Sequence, residues 1–450
     1  MMPNVTAILR KEIRGAVVEA GDPQYAQARS VWNAAIDRRP TAIIRCADVE
    51  DVVRAVRIAS DHGAKLTVRG GGHNVAGRSI ADGTLMLDLS GLRAVRVNSS
   101  ARRASVQGGA LWSDIDAATA AAGLATTGGF VSTTGVGGLT LGGGVGWLMR
   151  RYGLASDNLR RANVVLPGGR FVRVSPDEHA DLFWGLRGGA GGLGVVTEFE
   201  FALHPVRDVL AGITIFAAGD MLRVLQAFRA YAPEAPDEFC GICVVCQAPP
   251  LPFLEPGHHG RPVLAVAVCW CGDAARGEAE ITKSCGGAES IGAHLGVMPY
   301  VQWQKMQDAG APAGVYNYWK TVNFDSLTDT TLERIAQAAQ ELPSAATEIH
   351  LQHIGGAVAR ADAGSSAFAS RQAPFFANLI GRSADPAGFE AVRSFVRRLH
   401  GILSPAGTGT IQPNFSDQDD LDPSRRFGTD GASRLAELRG RYDPERVFSL

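Results

Sequence analysis

The chain has 450 residues, of which 46% are apolar and 20% are charged, and its formal net charge at pH 7 is −1. This length and composition are typical of a globular protein with two or three domains. The well-mixed charges exclude the basic stripe that a nucleic-acid or acidic-membrane partner requires, so we expect the partner to be a small molecule.

Residues 1–38 are interpreted as an N-terminal lead. The lead holds no apolar stretch of signal-peptide length, and no segment of the chain approaches the roughly 20 apolar residues that span a bilayer, which predicts a cytoplasmic protein. Residues 48–62 then carry apolar side chains at helical spacing and are followed by Gly63, which predicts an amphipathic helix. The next residues, 64–68, have the pattern of a strand.

That predicted strand runs into a glycine-rich loop, which reads Thr-Val-Arg-Gly-Gly-Gly-His-Asn from Thr67 to Asn74. Three consecutive glycines can adopt positive φ and bring their N–H groups close to an anion. Arg69 and Asn74 are natural partners for a pyrophosphate, and His73 lies beside the glycines. The loop therefore predicts a site for a phosphate-bearing ligand.

Glycine is concentrated in this half of the chain, where 28 of the 54 glycines lie between Gly63 and Gly194. Further glycine-rich blocks occupy 134–158 and 186–196, and between the blocks we predict strands at 84–89 and 103–107, a helix at 111–122, a hairpin at 162–174 and a strand at 195–203. Residues 189–194 match G-x-G-x-x-G, but a strand follows where that fingerprint needs a helix, which argues against a Rossmann fold.

A second domain is predicted from residue 207, because glycine thins out there. Its predicted helices cover 220–232, 330–342 and 389–403. Three of the seven cysteines are spaced C-x2-C-x2-C from Cys240 to Cys246, which is a spacing that metal sites use. Apolar residues alternate with them, so we interpret the cysteines as small core side chains and predict no metal site.

The glycine blocks resemble those of the flavin oxidoreductases with a vanillyl-alcohol-oxidase type FAD domain, in the bacterial berberine-bridge-enzyme-like branch. The resemblance runs from about Arg39 to Phe448 and includes the closing Tyr442-Asp-Pro. It implies an α+β fold with a two-part FAD-binding domain at 39–206, a separate α/β substrate domain at 207–405 and a C-terminal segment at 406–450 that returns to the FAD domain. It also implies FAD bonded through a ring nitrogen of His73 to the flavin 8α-methyl.

The same resemblance implies which residues hold the cofactor. Besides His73, these are Arg69, Gly70, Gly71, Gly72, Asn74, Gly77, Gly129, Thr134, Gly135, Gly137, Gly138, Gly142, Gly143, Asn158, Gly194, Val196 and Asn414. Val131 stands where many relatives carry a cysteine that makes a second flavin bond, so a single bond is expected. Thr134 stands where oxidases of the family carry a valine that gives dioxygen room, and threonine has nearly the same shape, so reoxidation by dioxygen is expected.

The catalytic base is the point at which this chain departs from the resemblance. Relatives that oxidise alcohols and sugars carry Tyr-x-Asn where this chain has Gln412-Pro413-Asn414, and a glutamine amide does not titrate. A neutral amine can lose a C–H hydride without a base, because the nitrogen lone pair stabilises the product. The missing tyrosine thus favours a C–N substrate over an alcohol.

A substitute base from the second domain is the alternative to this hypothesis. Tyr316, Tyr318 and Lys320 alternate along one predicted strand and so share a face, with Tyr318 the first candidate and Lys320 the second. His350 and His353 lie on another predicted strand, and Asn378 is a weaker candidate for the cavity floor. Each of these residues is equally consistent with a structural role.

The sequence therefore predicts a flavoprotein oxidase that transfers hydride from a small molecule to covalent FAD and is reoxidised by dioxygen to give hydrogen peroxide. Three other functions remain open. One is a resistance protein that reoxidises or sequesters a quinone antibiotic, and another is an alcohol, sugar or natural-product tailoring oxidase. The third is a binding module that keeps the fold without flavin, which the intact glycine loops and His73 disfavour. The substrate and the choice between monomer and homo-oligomer are not encoded in any motif.

Overall fold

The computed structural model describes residues 5–420 and 422–448. The first part of the chain forms a small sheet with both parallel and antiparallel strands. Its strands are β1 (Ala16–Glu19), β2 (Ala42–Arg45), β3 (Leu66–Arg69) and β4 (Leu85–Asp88), in the order β1-β2-β4-β3. Strand β1 pairs antiparallel with β2, so the stretch predicted as a lead is part of this sheet. The predicted boundary at residue 39 thus falls inside one structural unit.

A second sheet continues the glycine-rich half. It has the order β5-β6-β10-β8-β9 and is built from β5 (Val95–Asn98), β6 (Arg103–Gln107), β8 (Leu159–Leu166), β9 (Arg170–Val174) and β10 (Val195–Ala202). A separate two-stranded pair joins β7 (Leu124–Ala125) to β11 (His204–Pro205). The run after the G-x-G-x-x-G match is therefore a strand, as predicted, and the Rossmann interpretation is excluded.

A third sheet carries the second domain. Its order is β15-β12-β14-β13-β17-β18-β16, and all neighbouring strands run antiparallel. The strands are β12 (Asp208–Ala217), β13 (Phe239–Gln247), β14 (Pro262–Trp270), β15 (Gly292–Pro299), β16 (Tyr316–Phe324), β17 (Glu348–His353) and β18 (Phe375–Ser383). Most of the buried residues of these strands are apolar, and many are β-branched or aromatic, as is typical of strands in a sheet.

The described part of the chain has fourteen α-helices, and four of them cover one face of this third sheet. The α-helices are α1 (Val5–Glu12), α2 (Tyr25–Arg29), α3 (Val49–Asp61), α4 (Trp112–Ala120), α5 (Val136–Leu141), α6 (Met149–Tyr152), α7 (Ala180–Leu186), α8 (Met221–Tyr231), α9 (Ala274–Ser284), α10 (Tyr300–Trp303), α11 (Asp329–Ala338), α12 (Gly356–Arg360), α13 (Pro386–Leu403) and α14 (Pro423–Tyr442). Side chains of α8, α9, α11 and α13 form one apolar core with that face. The opposite face of the sheet is left for the glycine-rich half.

The C-terminal segment returns to the first sheet. Phe448 makes a parallel bridge with Leu66 of β3, and the Lys65 ammonium donates to the Glu445 carbonyl at 2.7 Å. The predicted helix at 48–62 is α3, and the carboxylate of its N-cap, Asp48, accepts from the backbone of Asp51. The predicted α+β class and the returning segment are confirmed.

The cysteines all carry free thiols and are buried. Cys240 and Cys269 lie in the core between β13, β14 and the segment 145–149, and Cys243 lies in the helix-covered core. Cys246 differs, because it lines the cavity described below.

None of the described helices combines the length and apolarity needed to cross a membrane, and the cytoplasmic location stays a prediction.

Candidate active site

A cavity of about 940 Å³ lies between the glycine loops and the uncovered face of the third sheet. The glycine-rich half contributes Gly70, Gly71, Gly72, His73, Asn74, Gly129, Thr134, Gly135, Gly137, Gly138, Gly142, Gly194 and Val196 to its lining. The C-terminal segment contributes Asn414, and strands β12 to β18 supply the opposite wall. Most of the predicted cofactor residues are thus brought together in one place.

His73 lies in this cavity with its ring stacked on Trp32, at a centroid distance of 4.3 Å and an angle of 17°. Burial lowers the pKa of His73 to about 4, and the charge of Arg382 contributes, so the ring is neutral at pH 7. Its Nε2 atom is buried and has no hydrogen-bond partner among the described residues. The neutral ring of His73 thus holds a buried nitrogen without a polar partner at the cavity.

The two main glycine loops touch each other at Gly71 and Gly135. A Cβ atom on Gly71 would lie 2.5 Å from the Gly135 nitrogen, and a Cβ on Gly135 would lie 2.4 Å from the Gly71 nitrogen. Any side chain at either position would push the loops apart. Glycine is therefore required at both positions by the close approach of two backbones.

Of the two arginines beside the glycine loop, Arg78 lines the cavity and the predicted Arg69 does not. The Arg69 guanidinium is held by Asp88 at 2.5 Å and by the carbonyls of Ala28 and Ser30, and it does not line the cavity. Arg78 does line it, and its guanidinium makes no ion pair in the described part of the chain. Burial lowers the pKa of Arg78 to about 10, so it stays charged at pH 7.

Three other predicted cofactor residues lie outside the cavity lining. Gly77, with φ at 68°, is a turn residue packed against Ile36, and Gly143, with φ at 105°, packs against Phe368. The Asn158 amide donates to the carbonyls of residues 152 and 154 and accepts from His204 at 2.6 Å. The structure gives each of these residues a local contact, and their roles toward the cofactor stay predictions.

Asn414 spans the gap between the C-terminal segment and the second glycine loop. Its Oδ1 accepts from the Gly144 backbone at 3.0 Å, and its Nδ2 donates to the carbonyls of Gly138 and Leu139. The amide thus orders the loop that borders the cavity. Val131 and Thr134, the positions that bear on a second flavin bond and on dioxygen access, also line the cavity.

Tyr318 and Lys320 share a face of β16, as their alternation predicts, but it is the helix-covered face. The Tyr318 hydroxyl donates to Asp419 at 2.8 Å and accepts from Arg397 at 2.9 Å, and the Lys320 ammonium donates to Asp419 at 2.6 Å and to Asp420 at 2.7 Å. Neither residue lines the cavity. Their assignment as the base is corrected, because sequence parity does not tell which face the helices cover.

The Gln412 side chain also lies outside the cavity lining. It is 1% exposed, and its amide donates to Asn323 Oδ1 at 3.0 Å while its backbone donates to the Thr321 hydroxyl. It anchors the C-terminal segment over β16. The neighbouring residues Pro413 and Asn414 line the cavity instead.

The polar wall of the cavity is formed by β17 and β18. Glu348, His350 and Gln352 project from one strand, and Asn378 and Arg382 from the next, with His350 opposite Asn378 in the register. Glu348 accepts from His350 Nε2 and from Arg382 Nη1, both at 3.0 Å. Burial alone would raise the pKa of Glu348, but the bonds from His350 and Arg382 outweigh it and lower the pKa to about 2.

This polar wall lies next to His73 through a chain of aromatic contacts. Trp32, which stacks on His73, meets Trp319 edge to face at 5.6 Å, and the Arg382 guanidinium lies over Trp319 at 5.6 Å. His350 and Asn378 were predicted from the sequence as candidates, whereas Glu348 and Arg382 were not. The alternation of Glu348, His350 and Gln352 was the available signal, since it places three polar side chains on one face.

The comparisons with known proteins agree with this geometry. Residues 40–175 match the FAD binding domain family. An FAD-linked oxidoreductase of Dictyostelium discoideum is 28% identical over 97% of this chain and 94% of its own length. The (R)-6-hydroxynicotine oxidase of Paenarthrobacter nicotinovorans is 36% identical, over 51% of this chain and about half (52%) of that relative. The solved structure of BBE-like 1 from Physcomitrella patens, 21% identical, covers 100% of this chain and 98% of that one with a TM-score of 0.88.

The chain is an FAD-linked oxidoreductase with a berberine-bridge-enzyme-like fold. The match to the FAD binding domain family implies FAD as the cofactor, and the residues that line the cavity fit this cofactor. The paired glycine loops admit a ligand against their backbones, Arg78 supplies a positive charge for a pyrophosphate, and His73 presents an unpaired nitrogen. In this oxidoreductase the cofactor side and the polar wall face each other across one cavity.

The corrected position of Lys320 in this oxidoreductase gives a testable consequence. Exchange of Lys320 for methionine leaves Asp420 buried with its nearest cation, Arg425, at 3.7 Å. We expect the free energy of unfolding to fall by about 3 kcal/mol, because a buried carboxylate loses its partner. The flavin content and the rate of flavin reduction should not change, since Lys320 lies behind the sheet.

Denaturant unfolding followed by far-UV circular dichroism measures this loss of stability. Lys283→Met is the matched control, because Lys283 makes an exposed pair with Glu280 at 2.7 Å that contributes little. A Lys320→Met protein with unchanged stability and slow flavin reduction would return Lys320 to a catalytic role.

Proposed function

We propose that this FAD-linked oxidoreductase is an oxidase that takes a hydride from a C–H bond beside nitrogen in a small-molecule donor. FAD would be held by a single bond through His73, and the second substrate would be dioxygen. The observation that carries the proposal is the position of His73, whose buried Nε2 has no partner among the described residues, in the same cavity as the Glu348, His350 and Arg382 cluster. An attachment point and a donor-binding wall are thereby within one enclosure.

Binding and orientation of the cofactor are the tasks of the glycine-rich half. Gly70 to Asn74 and Gly135 to Gly142 would cradle FAD with backbone N–H groups, and Arg78 would neutralise its pyrophosphate. When bound, FAD supplies the two-electron acceptor chemistry and returns both electrons to dioxygen, which gives hydrogen peroxide. Val131 in place of a cysteine supports one bond rather than two, and Thr134 supports access of dioxygen.

The lining of the cavity supports a C–N donor. No tyrosine or lysine side chain lines it among the described residues, and Gln412 stands aside from it. Hydride transfer from a neutral amine needs no base, because it leaves an iminium in which the nitrogen lone pair stabilises the carbon. A base is needed only to remove the proton of the ammonium form before that step. The similarity to a 6-hydroxynicotine oxidase supports the same donor class.

His350 is the group that we assign to the donor's proton. Its Nε2 lies 3.0 Å from the Glu348 carboxylate, so in the neutral form of the ring Nε2 carries the hydrogen and Nδ1 carries the lone pair. Glu348 stays ionised, because the bonds from His350 and Arg382 lower its pKa to about 2. A fixed Nδ1 lone pair can accept the proton that a donor ammonium must lose before hydride transfer.

Anaerobic mixing of the purified holoenzyme with paired donors tests the proposed reaction. Each cyclic secondary amine is compared with the alcohol of the same ring size, and the bleaching of the oxidised flavin absorbance is followed. We expect the amines to reduce the flavin faster than the alcohols, and air should then restore the absorbance with one hydrogen peroxide formed for each flavin.

Two outcomes would contradict the proposal. Faster reduction by the alcohols would show that the cavity holds an effective base for hydroxyl donors. A flavin that no amine or alcohol reduces, but that a quinone reoxidises after chemical reduction, would favour the resistance function instead.

A further inference from the structure

We propose that the half of the cavity beyond the polar wall is a binding subsite for a long apolar extension of the donor. The subsite, here called the apolar arm, is formed by strands β12, β13 and β14 together with the loop 249–253. Its side chains are Ile213, Ile215, Val244, Cys246, Leu251, Phe253, Val263, Ala265 and Ala267. The inference rests on the proposed function, because it concerns the same donor.

The direction of the apolar arm follows from the register of the third sheet. His350 lies opposite Val244, Val244 opposite Ala265, and Ala265 opposite Ile215. These four residues occupy neighbouring strands and all line the cavity. Three strand spacings separate His350 from Ile215, which is about 14 Å.

The chemistry of the wall changes along this row. Glu348, His350, Gln352, Asn378 and Arg382 are all polar, whereas the apolar arm presents no charged side chain. Cys246 adds no charge, because burial raises the pKa of its thiol to about 12. The cavity thus pairs a polar end beside His73 with an apolar end away from it.

Several side chains of the apolar arm are only partly covered by the protein. Ile213, Val244, Leu251 and Phe253 pack on the buried cluster around Ile215 and Val263 but stay partly accessible from the cavity. At the far end the exposed His294 ring stacks on Phe253 with centroids 5.7 Å apart. A ligand that covers apolar surface in a cavity removes that surface from water, and this makes the free energy of binding more favourable.

These features define a substrate class. The donor would be amphipathic, with its amine and reacting carbon at the polar wall and a straight or flat apolar tail of about 10 Å or more along the arm. A compact polar donor, such as a free sugar, would leave the arm uncovered. The arm therefore favours long-chain or polycyclic amines over small ones.

Binding of straight-chain primary amines to the oxidised holoenzyme tests this inference. Calorimetry under anaerobic conditions gives the dissociation constants for butylamine, hexylamine, octylamine and decylamine below their aggregation concentrations. We expect about fourfold tighter binding for each added methylene group until the arm is full. Ala265→Phe, which fills the middle of the row, should weaken decylamine binding by at least about tenfold and leave butylamine unchanged.

Two further variants keep the result interpretable. Ala293→Phe is the matched control, because Ala293 is an exposed residue of β15 outside the cavity lining. Phe253→Ser lies in a partly exposed loop and should weaken decylamine binding even if Ala265→Phe does not fold.

The outcomes separate this inference from the proposed function. Affinity that does not rise with chain length, or an equal loss for butylamine and decylamine in Ala265→Phe, would overturn the apolar arm. Amines that bind with the expected length dependence but never reduce the flavin would leave the arm in place and overturn the amine-oxidase function.

Discussion

His73→Ala protein should release its flavin into the supernatant on acid precipitation, whereas the wild-type protein should keep the flavin in the pellet. His73 is the cavity residue that offers a buried ring nitrogen without a hydrogen-bond partner in the described part of the chain. Its ring is uncharged at pH 7, because burial lowers its pKa to about 4, and only an uncharged nitrogen can bond to carbon. Intact mass should show one added FAD on the wild-type protein and none on the variant.

His62→Ala is the control for this measurement. His62 lies at the C-terminal end of α3, away from the cavity, and its ring contacts the Ile58 carbonyl at 2.9 Å. This protein should keep its flavin as the wild type does. Flavin in the wild-type supernatant would overturn the covalent attachment, and flavin that stays on His73→Ala would place the bond on another residue.

Exchange of His350 for glutamine should slow flavin reduction by about 100-fold or more with the fastest amine of the donor panel. General bases contribute about 10²- to 10⁴-fold, and the glutamine amide has no titrating lone pair. The glutamine can still donate to Glu348, so the carboxylate keeps a partner besides Arg382. Stopped-flow absorbance under anaerobic conditions gives the limiting rate separately from the dissociation constant of the donor.

His353→Gln is the matched control, because His353 lies three residues along the same strand and on its other face, where it contacts Arg150 and Phe375. Its limiting reduction rate should equal that of the wild type. Added imidazole should restore part of the rate of His350→Ala, which a purely structural role would not allow. Wild-type reduction by His350→Gln would overturn the assignment of His350 as proton acceptor.

Local patterns were sufficient for most elements of this protein. The helix at 49–61 and the strands at 103–107 and 195–202 lie within two residues of their predicted ends. Each element is encoded by short-range signals in the sequence, such as the Asp48 cap or the β-branched residues after Gly194. The glycine loops were also predictable, because positive φ and close backbone approach leave glycine as the residue that fits.

The errors arose where a contact joins residues far apart in the chain. Arg69 has the right chemistry for a pyrophosphate, but Asp88 on the neighbouring strand β4 takes its guanidinium. Arg78, five residues after His73, could not be predicted from the local pattern, because that pattern does not show that its guanidinium makes no ion pair in the described part of the chain. Glu348 and Arg382 are 34 residues apart, and only the pairing of β17 with β18 brings them together.

The sequence by itself determined the cofactor class, the His73 loop and the alternation of side chains along the strands of the third sheet. The tertiary structure decided which of the two faces meets the cavity. A strand's period of two separates its residues into two sets but does not identify the buried set or what covers it. Helices α8, α9, α11 and α13 cover the face of Tyr318 and Lys320, so Trp319, His350 and Arg382 on the other face meet the cofactor side.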